Sequence, residues 1–197
     1  MDDIILIGFG GHAKSVVDSI ERQGLYRIAG FTEREGFTEQ TYKHYKVIGT
    51  DADLPHLYEQ GIRHAFVTVG YMGRSEVRRK LYEEIKKIGF AVPNIIDDTA
   101  VLAGDVKLGE GIFVGKRAVV NANASIGDMC IINTAAVLEH DCEIGGFSHV
   151  AVGAVLCGGC KTGKSVFIGA NATVVQQLEI ADNSFIKAGQ VVASSMI

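Results

Sequence analysis

The segment 138–143, L-E-H-D-C-E, places ionisable side chains in a region otherwise rich in Ala, Gly and Val. Histidine titrates near neutral pH, so His140 is suited to act as a general base toward an amine or a hydroxyl. A carboxylate on its second ring nitrogen would fix the tautomer and stabilise the imidazolium, and Asp141 is the first candidate. Adjacent residues of an extended strand point in opposite directions, so this contact requires a chain corner. Glu139 and Glu143 are the rival carboxylates, and a purely solvated acidic face is the alternative interpretation.

A glycine-rich loop near the N-terminus is the second candidate for chemistry. Gly8-x-Gly10-x-x-Ala13 follows a short apolar run and precedes an amphipathic segment. In that context, backbone amides and a helix N-terminus would face a phosphate group. His12 lies in the loop, and Glu33 follows at the distance expected for an acid that binds a ribose. A glycine turn that only packs a helix on a strand is the alternative.

The elements around this loop alternate between strand and helix. Apolar runs predict strands at 3–7, 26–31, 65–69 and 90–92, the last just before Pro93. Helices are predicted after Gly10 and over 75–88. The inward residues of the second helix are expected to be Val77, Leu81, Ile85 and Ile88.

This alternation predicts an α/β, Rossmann-like half domain over residues 1–93. Its size accommodates one mononucleotide-binding half. We therefore expect a nucleotide-linked sugar rather than NAD at the glycine loop.

A strict period of six governs the rest of the chain. All but one of seventeen positions spaced six apart are Ile, Leu or Val. They are Ile96, Leu102, Leu108, Val114, Val120, Ile126, Ile132, Leu138, Ile144, Val150, Leu156, Thr162, Ile168, Val174, Ile180, Ile186 and Val192. A period of six fits neither an α-helix nor a single strand, and it predicts an all-β hexapeptide-repeat β-helix over residues 94–197.

A second period of eighteen is nested in the first. Gly109, Gly127, Gly145 and Gly163 recur at that spacing. Three hexads per coil predict a triangular prism, with a glycine at one corner where a positive φ is expected. The position four after each repeat start must be small to fit inside the coils. It is occupied by Ala100, Ala118, Ala124, Cys130, Ala136, Cys142, Ser148, Ala154, Cys160 and Ala172.

Composition excludes several classes of function. A formal net charge of −4 argues against a nucleic-acid partner. No apolar run is long enough to insert into a membrane, and no signal peptide precedes the first strand, so we expect a cytoplasmic protein. Cys130, Cys142 and Cys160 fall on the small inward position, and Cys157 lies nearby. All four cysteines are interpreted as small hydrophobic residues, and no metal is expected.

Several longer motifs resemble a known family. They are G-F-G-G-H-A-K, G-F-T-E-R, V-T-V-G and the segment 133–159, which contains E-H-D-C-E-I-G-G-F-S-H-V. Together they resemble the bacterial sugar acetyltransferases of surface-polysaccharide, glycan and sialic acid pathways. That family joins a nucleotide-sugar-binding domain to a left-handed β-helix and acts as a homotrimer, so the resemblance implies a left-handed parallel β-helix and acetyl-CoA as co-substrate.

The resemblance also implies roles for individual residues. His140 matches the catalytic base and Asp141 the acid that raises its basicity. The matches to positions that bind acetyl-CoA are His149, Ala170 and Ala188. The matches to the sugar-nucleotide site are Gly10, Gly11, His12, Glu33 and Gly70. Two segments depart from the family pattern: Arg34 replaces the second acid of an acidic pair, and Tyr71–Arg74 replaces a shorter loop.

The leading hypothesis is an acetyl-CoA-dependent acetyltransferase acting on a nucleotide-linked amino sugar (N-acetylation) or on a sialic acid (O-acetylation). One alternative is a non-catalytic trimeric sugar-nucleotide-binding protein. Another is a zinc carbonic anhydrase built on the same helix, which needs three histidine ligands. The repeat contains only His140 and His149.

Overall fold

The computed structural model describes residues 1–36, 40–71 and 76–196, which form two compact units. The first unit comprises Met1–Gly70 and Glu76–Pro93. The second comprises residues 94–196 together with Tyr71. Ser75, which the sequence places at the start of the second helix, and Met72–Arg74 of the departing loop lie outside the described residues.

The first unit is an α/β fold around a five-stranded sheet. Its elements are β1 (Asp2–Ile7), α1 (Gly11–Gln23), β2 (Tyr26–Glu33), β3 (Thr41–Tyr42), β4 (Tyr45–Thr50), a 3₁₀ turn (Asp51–Asp53), α2 (Leu54–Glu59), β5 (His64–Val67) and α3 (Glu76–Ile88). The strand order is β3-β4-β2-β1-β5, and all neighbours except β3 and β4 are parallel. The Rossmann-like half domain expected from the sequence is confirmed.

The sequence missed the β3–β4 hairpin and α2, because neither has a long apolar period. The expected strand at 90–92 is reduced to one isolated bridge between Ala91 and His64. The expectation for Val77 is wrong, since this side chain is 60% exposed and Arg78 takes the inward position. Arg78 can be buried because its guanidinium donates hydrogen bonds to the carbonyl oxygens of Val67 (3.3 Å) and Val69 (2.5 Å).

The second unit is built from two-residue strands, one per hexad. Within residues 94–196 they are β6 (Ile95–Ile96), β7 (Val101–Leu102), β8 (Lys107–Leu108), β9 (Phe113–Val114), β10 (Val119–Val120), β11 (Ser125–Ile126), β12 (Ile131–Ile132), β13 (Val137–Leu138), β14 (Glu143–Ile144), β15 (His149–Val150), β16 (Val155–Leu156), β17 (Lys161–Thr162), β18 (Phe167–Ile168), β19 (Thr173–Val174), β20 (Glu179–Ile180), β21 (Phe185–Ile186) and β22 (Val191–Val192).

These strands stack into three parallel sheets with a register of eighteen residues. The first sheet contains β6, β9, β12, β15, β18 and β21. The second contains β7, β10, β13, β16, β19 and β22. The third contains β8, β11, β14, β17 and β20. The second residue of each strand points inward, as the hexad predicted, and the fold is a left-handed parallel β-helix.

The prediction of a small residue four positions after each repeat start is only partly right, because the same position also holds Val106, Ile112, Val166 and Leu178, which lie in the core or pack against it. Ala118, Cys130, Ala136, Cys142 and Cys160 are completely buried in one continuous apolar core. All four cysteines are free thiols. Cys130, Cys142 and Cys160 lie at the inward position that the coil width restricts, whereas Cys157 is half-buried and lies one residue after a repeat start.

The reason given for the corner glycines is wrong. Gly109, Gly127, Gly145 and Gly163 do not have positive φ; instead, a Cβ there would collide with the next coil. The left-handed conformation lies elsewhere and recurs every six residues, at 111, 117, 123 and onward to 189. Arg117, Asn123, Met129 and Asp141 are among the residues that adopt it. The period therefore fixes the corner conformation more strongly than residue type does.

Candidate active site

His140 and Asp141 form the turn between β13 and β14. Asp141 has a φ of +61°, and this corner brings the two adjacent side chains together. His140 Nδ1 lies 2.8 Å from Asp141 Oδ2. A carboxylate only accepts, so Nδ1 carries the hydrogen and, in the neutral ring, Nε2 carries the lone pair. The contact that the sequence made conditional on a corner is therefore present.

The coils before and after this turn both contact it. Asn123 occupies the same corner one coil earlier, with a φ of +57°, and its Nδ2 donates a 2.7 Å hydrogen bond to Asp141 Oδ1. One coil later, the His140 ring lies over Gly158, where an added Cβ would sit 2.6 Å from Cε1 and Nε2. Gly159 N donates to His140 O at 2.8 Å. The preceding coil therefore contacts Asp141, and the following coil contacts His140.

The two rival carboxylates have other partners. Glu139 Oε2 accepts a 3.0 Å hydrogen bond from Asn121 Nδ2. Glu143 forms an ion pair with Lys161, with Nζ and Oε1 2.8 Å apart. Asp141 is therefore the carboxylate that contacts the His140 ring.

Electrostatics reinforce this assignment. The Asp141 hydrogen bond raises the pKa of His140 above its usual value, and the charge of Glu139 acts in the same direction. The pKa of Asp141 is lowered, first by the hydrogen bond from Asn123 and then by that from His140. The result is an imidazole of increased basicity beside a carboxylate that stays ionised.

His140 lies at a surface depression rather than in a closed cavity, and its side chain is 63% exposed. The residues that line the depression with His140 and Asp141 are Lys107, Asn123, Ser125, Glu143, Gly158, Gly159, Lys161, Gln177 and Glu179. An acceptor amine could approach Nε2 directly from solvent.

His149 is held differently, on the outer face of the first sheet, and is only 9% exposed. The Thr134 amide donates to Asn133 Oδ1 at 2.8 Å, which turns Asn133 Nδ2 toward His149 Nε2 at 3.2 Å. His149 Nδ1 in turn lies 2.9 Å from the carbonyl oxygen of Tyr71. Because Nδ2 can only donate and a carbonyl only accepts, this network selects the neutral Nδ1–H tautomer.

Ala170 and Ala188 lie on a different corner from His140. Both occupy turns between the first and second sheets, eighteen residues apart, and Gly189 N donates to Ala170 O at 2.8 Å. The His140 turn joins the second sheet to the third. The proposed base and the proposed acetyl-CoA positions therefore flank opposite edges of the second sheet in one chain.

The glycine loop of the first unit forms its own depression. Gly10, Gly11, His12, Glu33 and Gly70, all predicted from the sequence to bind the sugar nucleotide, line it together. Gly10 caps α1 without a side-chain hydrogen bond, and no acid occupies the first turn of that helix. Such an N-terminus is suited to an anion.

Glu33 and Gly70 are positioned by close contacts. Glu33 Oε2 accepts the amide hydrogen of Phe9 at 2.8 Å. A Cβ on Gly70 would lie 3.4 Å from His12 Cβ, so this glycine keeps the loop close to His12. These contacts fix the shape of the depression.

Sequence reasoning missed Asn123, Gly158 and Asn133, and it also missed the contact of the Tyr71 carbonyl with His149. The eighteen-residue period could have found the first two, because 123 is one coil before Asp141 and 158 is one coil after His140. Among the described residues, no group of three or more His, Cys, Asp or Glu side chains could hold a metal ion.

Comparison with known proteins places the chain in a family. Residues 3–85 match the family described as the PglD N-terminal domain. PerB from Caulobacter crescentus, solved with CoA and GDP-perosamine, is 34% identical, with a TM-score of 0.92, over 100% of this chain and 91% of that one. The chain belongs to the sugar N-acetyltransferases of the hexapeptide-repeat superfamily.

A second relative of this acetyltransferase supports the same placement. The acetyltransferase domain of PglB from Neisseria gonorrhoeae FA1090, solved with acetyl coenzyme A, is 30% identical, with a TM-score of 0.89, over 98% of this chain and 92% of that one. No curated protein sequence matches the chain. The predicted family, the enzyme class and coenzyme A as the carrier of the donor group are confirmed, and the non-catalytic alternative is set aside.

Proposed function

We propose that this acetyltransferase moves the acetyl group of acetyl-CoA to the amine of a nucleotide-linked amino sugar, with His140 as general base. The observation that carries the proposal is the Asn123–Asp141–His140 arrangement, with 2.7 and 2.8 Å contacts and an exposed imidazole. The relative solved with CoA and GDP-perosamine aligns with the whole chain.

The reaction balances with the groups that the chain provides. The neutral amine attacks the thioester carbonyl carbon as His140 Nε2 takes its proton. The tetrahedral intermediate then expels the CoA thiolate, which takes the proton from the His140 imidazolium, and an amide is left on the sugar. Asp141 stabilises the imidazolium that forms in between.

An amine acceptor is favoured over a hydroxyl. The relative PerB is a perosamine N-acetyltransferase, and its substrate is GDP-linked. The glycine loop and the N-terminus of α1 would bind the diphosphate of such an acceptor through backbone amides, and Glu33 would contact its nucleoside. Gly10, Gly11, His12 and Gly70 would shape this site.

The donor site requires a second copy of the chain in this proposal. Ala170 and Ala188 are proposed to contact acetyl-CoA through the backbone, and His149 to lie near its thioester. Ala170 and Ala188 lie at one edge of the second sheet, and His140 lies at the opposite edge. A homotrimer would bring the His140 corner of one chain to the donor corner of its neighbour.

The outer face of the second sheet is suited to that assembly. Its outward row is Val101, Val119, Val137, Val155, Thr173 and Val191. Val101 and Val191 are 62% and 67% exposed. Apolar rows at a subunit interface remove such surface from water.

The proposed compartment is the cytoplasm, which the four free thiols fit. No helix in the part of the chain that the structure describes is long and apolar enough to cross a membrane.

The test is an acceptor panel with acetyl-CoA, comprising GDP- and UDP-linked amino sugars and CMP-linked sialic acid, followed by mass spectrometry. The expected product is a nucleotide sugar heavier by one acetyl group on nitrogen, with one CoA released per transfer. O-acetylation of the sialic acid alone would overturn the choice of acceptor. CoA release without a modified sugar would overturn the transfer.

A further inference from the structure

The coil preceding the His140 turn holds a residue whose side chain reaches the proposed catalytic pair. Asn123 and Asp141 occupy the same corner in successive coils, with φ of +57° and +61°. Asn123 Nδ2 donates to Asp141 Oδ1 at 2.7 Å, and Asp141 Oδ2 accepts from His140 at 2.8 Å. The three side chains form one uninterrupted chain of hydrogen bonds.

We propose that Asn123 is a positioning residue for the transfer reaction, which holds the Asp141 carboxylate so that its second oxygen meets His140. The inference rests on the proposed role of His140 as general base. Asn123 itself touches neither the imidazole nor a reacting atom.

The Asp141 carboxylate needs a second contact to keep its orientation toward His140. Asp141 is 55% exposed, so its carboxylate could rotate toward solvent, and the contact with a neighbouring residue depends on one rotamer. An amide at 2.7 Å on the far oxygen restricts that rotation. The atom of Asn123 that makes this contact must be Nδ2, because an ionised carboxylate can only accept a hydrogen bond. The lowered pKa of Asp141, for which the Asn123 hydrogen bond is the largest cause, agrees with this arrangement.

Other charges around the imidazole do not replace this contact. Glu139 adds a favourable charge on the same turn, but its carboxylate is bound by Asn121. Lys161 and Glu143 neutralise one another. The remaining charged groups in the depression are Lys107 and Glu179. None of these is hydrogen-bonded to the ring.

Asparagine has a second, purely structural reason to occupy this corner. It tolerates the left-handed conformation better than most residues do, and so does aspartate. Two substitutions separate the reasons. Asn123→Asp keeps the tolerance but puts a second negative charge against Asp141. Asn123→Ala removes the donor and the tolerance together.

The matched control is Asn183→Ala. Asn183 has a φ of +60° at another corner of the same β-helix. The experiment measures kcat/KM against pH for each variant, and the titration of His140 by NMR, with Asp141→Asn as the reference for a lost carboxylate contact. The NMR titration reads the contact in the complete enzyme without any turnover.

We expect Asn123→Ala to lower the plateau of kcat/KM about two- to tenfold, the weight of one hydrogen bond. Both the His140 titration and the acid limb of the profile should move to lower pH, toward those of Asp141→Asn, because the imidazolium loses its held partner. Asn123→Asp should reduce the plateau at least as much as Asn123→Ala. Asn183→Ala should change neither readout.

Two results would overturn the inference: an Asn123→Ala enzyme in which His140 titrates as in the wild type, or an Asn123→Asp enzyme with full activity. Equal loss in Asn183→Ala would also overturn it, because the effect would then come from the backbone conformation. The proposed function fails separately, if His140→Ala retains activity. In that case the NMR titration still decides whether Asn123 holds Asp141.

Discussion

At the scale of single residues, the His140–Asp141 turn depends on a left-handed corner more than on the residue types alone. Asp141 is adjacent to His140 in sequence and meets its ring only because φ at 141 is positive. Glu139, a rival candidate in the sequence, accepts a hydrogen bond from Asn121 instead. Backbone conformation therefore chooses among three acids that composition cannot separate.

Replacing His140 by Ala should reduce kcat by roughly 10²–10⁴-fold, the usual weight of one general base. The side chain is exposed, so we expect no loss of folding. Steady-state kinetics together with thermal unfolding measure both effects. A folded His140→Ala enzyme that keeps wild-type turnover would leave no role for the imidazole as a base.

The activity of the wild-type enzyme should rise at a higher pH than the pKa of a free imidazole would predict. The pKa of His140 is raised by Asp141, and only the neutral ring accepts a proton. The acid limb of kcat/KM is therefore expected above the ordinary imidazole pKa of about 6.5 and should move down in Asp141→Asn. Because the acceptor amine also titrates, the profile of His140→Ala is the control. A limb unchanged in Asp141→Asn would contradict the assignment.

Gly158 should be as sensitive to substitution as the His140–Asp141 pair, although it has no side chain. A Cβ there would sit 2.6 Å from His140 Nε2, so Gly158→Ala should push the ring away from Asp141 and lower kcat. Gly104→Ala is the matched control, since no atom lies within 4 Å of a Cβ at that position. Kinetics on both variants provide the test, and equal activities would show that the ring relaxes without loss.

At the scale of elements, the hexad positions specify the β-helix because each coil repeats one packing problem. The same repetition does not extend to the first unit. There the β3–β4 hairpin carries Tyr45 and Val47 without any sustained period, and Val77 resembled a core residue while Arg78 was the buried one. A buried arginine held by the Val67 and Val69 carbonyls has no signature in local sequence.

The corner glycines also show where sequence reasoning fails. A glycine suggests positive φ, yet Gly145 is required because the next coil passes directly beneath it. Conversely Met129 and Phe147 adopt positive φ although they are unfavourable there. The candidate site is also only partly predictable from the sequence. The eighteen-residue period could locate Asn123 and Gly158, but no local pattern predicts the contact between Tyr71 and His149, which lie 78 residues apart.

Gly145→Ala should therefore destabilise the protein by about 1–3 kcal/mol through overpacking rather than through backbone strain. The added Cβ would collide with the backbone of Gly163. Chemical denaturation measures the free energy of unfolding, and Gly104→Ala serves again as the control. Equal stability of the two variants would refute the steric explanation of this glycine ladder.

At the scale of the whole molecule, the separation of His140 from Ala170 and Ala188 has a consequence for assembly. In one chain, the proposed base and the proposed donor positions lie at opposite edges of the second sheet. The charged outward row of the third sheet, with its Lys161–Glu143 pair, differs from the valine row of the second. The chemistry of the faces and the placement of the site therefore favour the same arrangement, a site shared between neighbouring copies.

A site shared between neighbouring copies predicts that two inactive variants restore activity when they are combined in one trimer. His140→Ala removes the base, and Ala188→Trp is expected to block the donor position, so each homotrimer should be inactive. Unfolding and refolding the two variants together produces mixed trimers, in which some interfaces combine an intact His140 with an intact Ala188. Light scattering checks the trimer and CoA release measures activity. Mixing should restore a fraction of wild-type turnover that vanishes when Val137→Glu on the second sheet prevents assembly. Mixed trimers without activity would place the base and the donor site within one chain, and a monomer by light scattering would end the shared-site proposal.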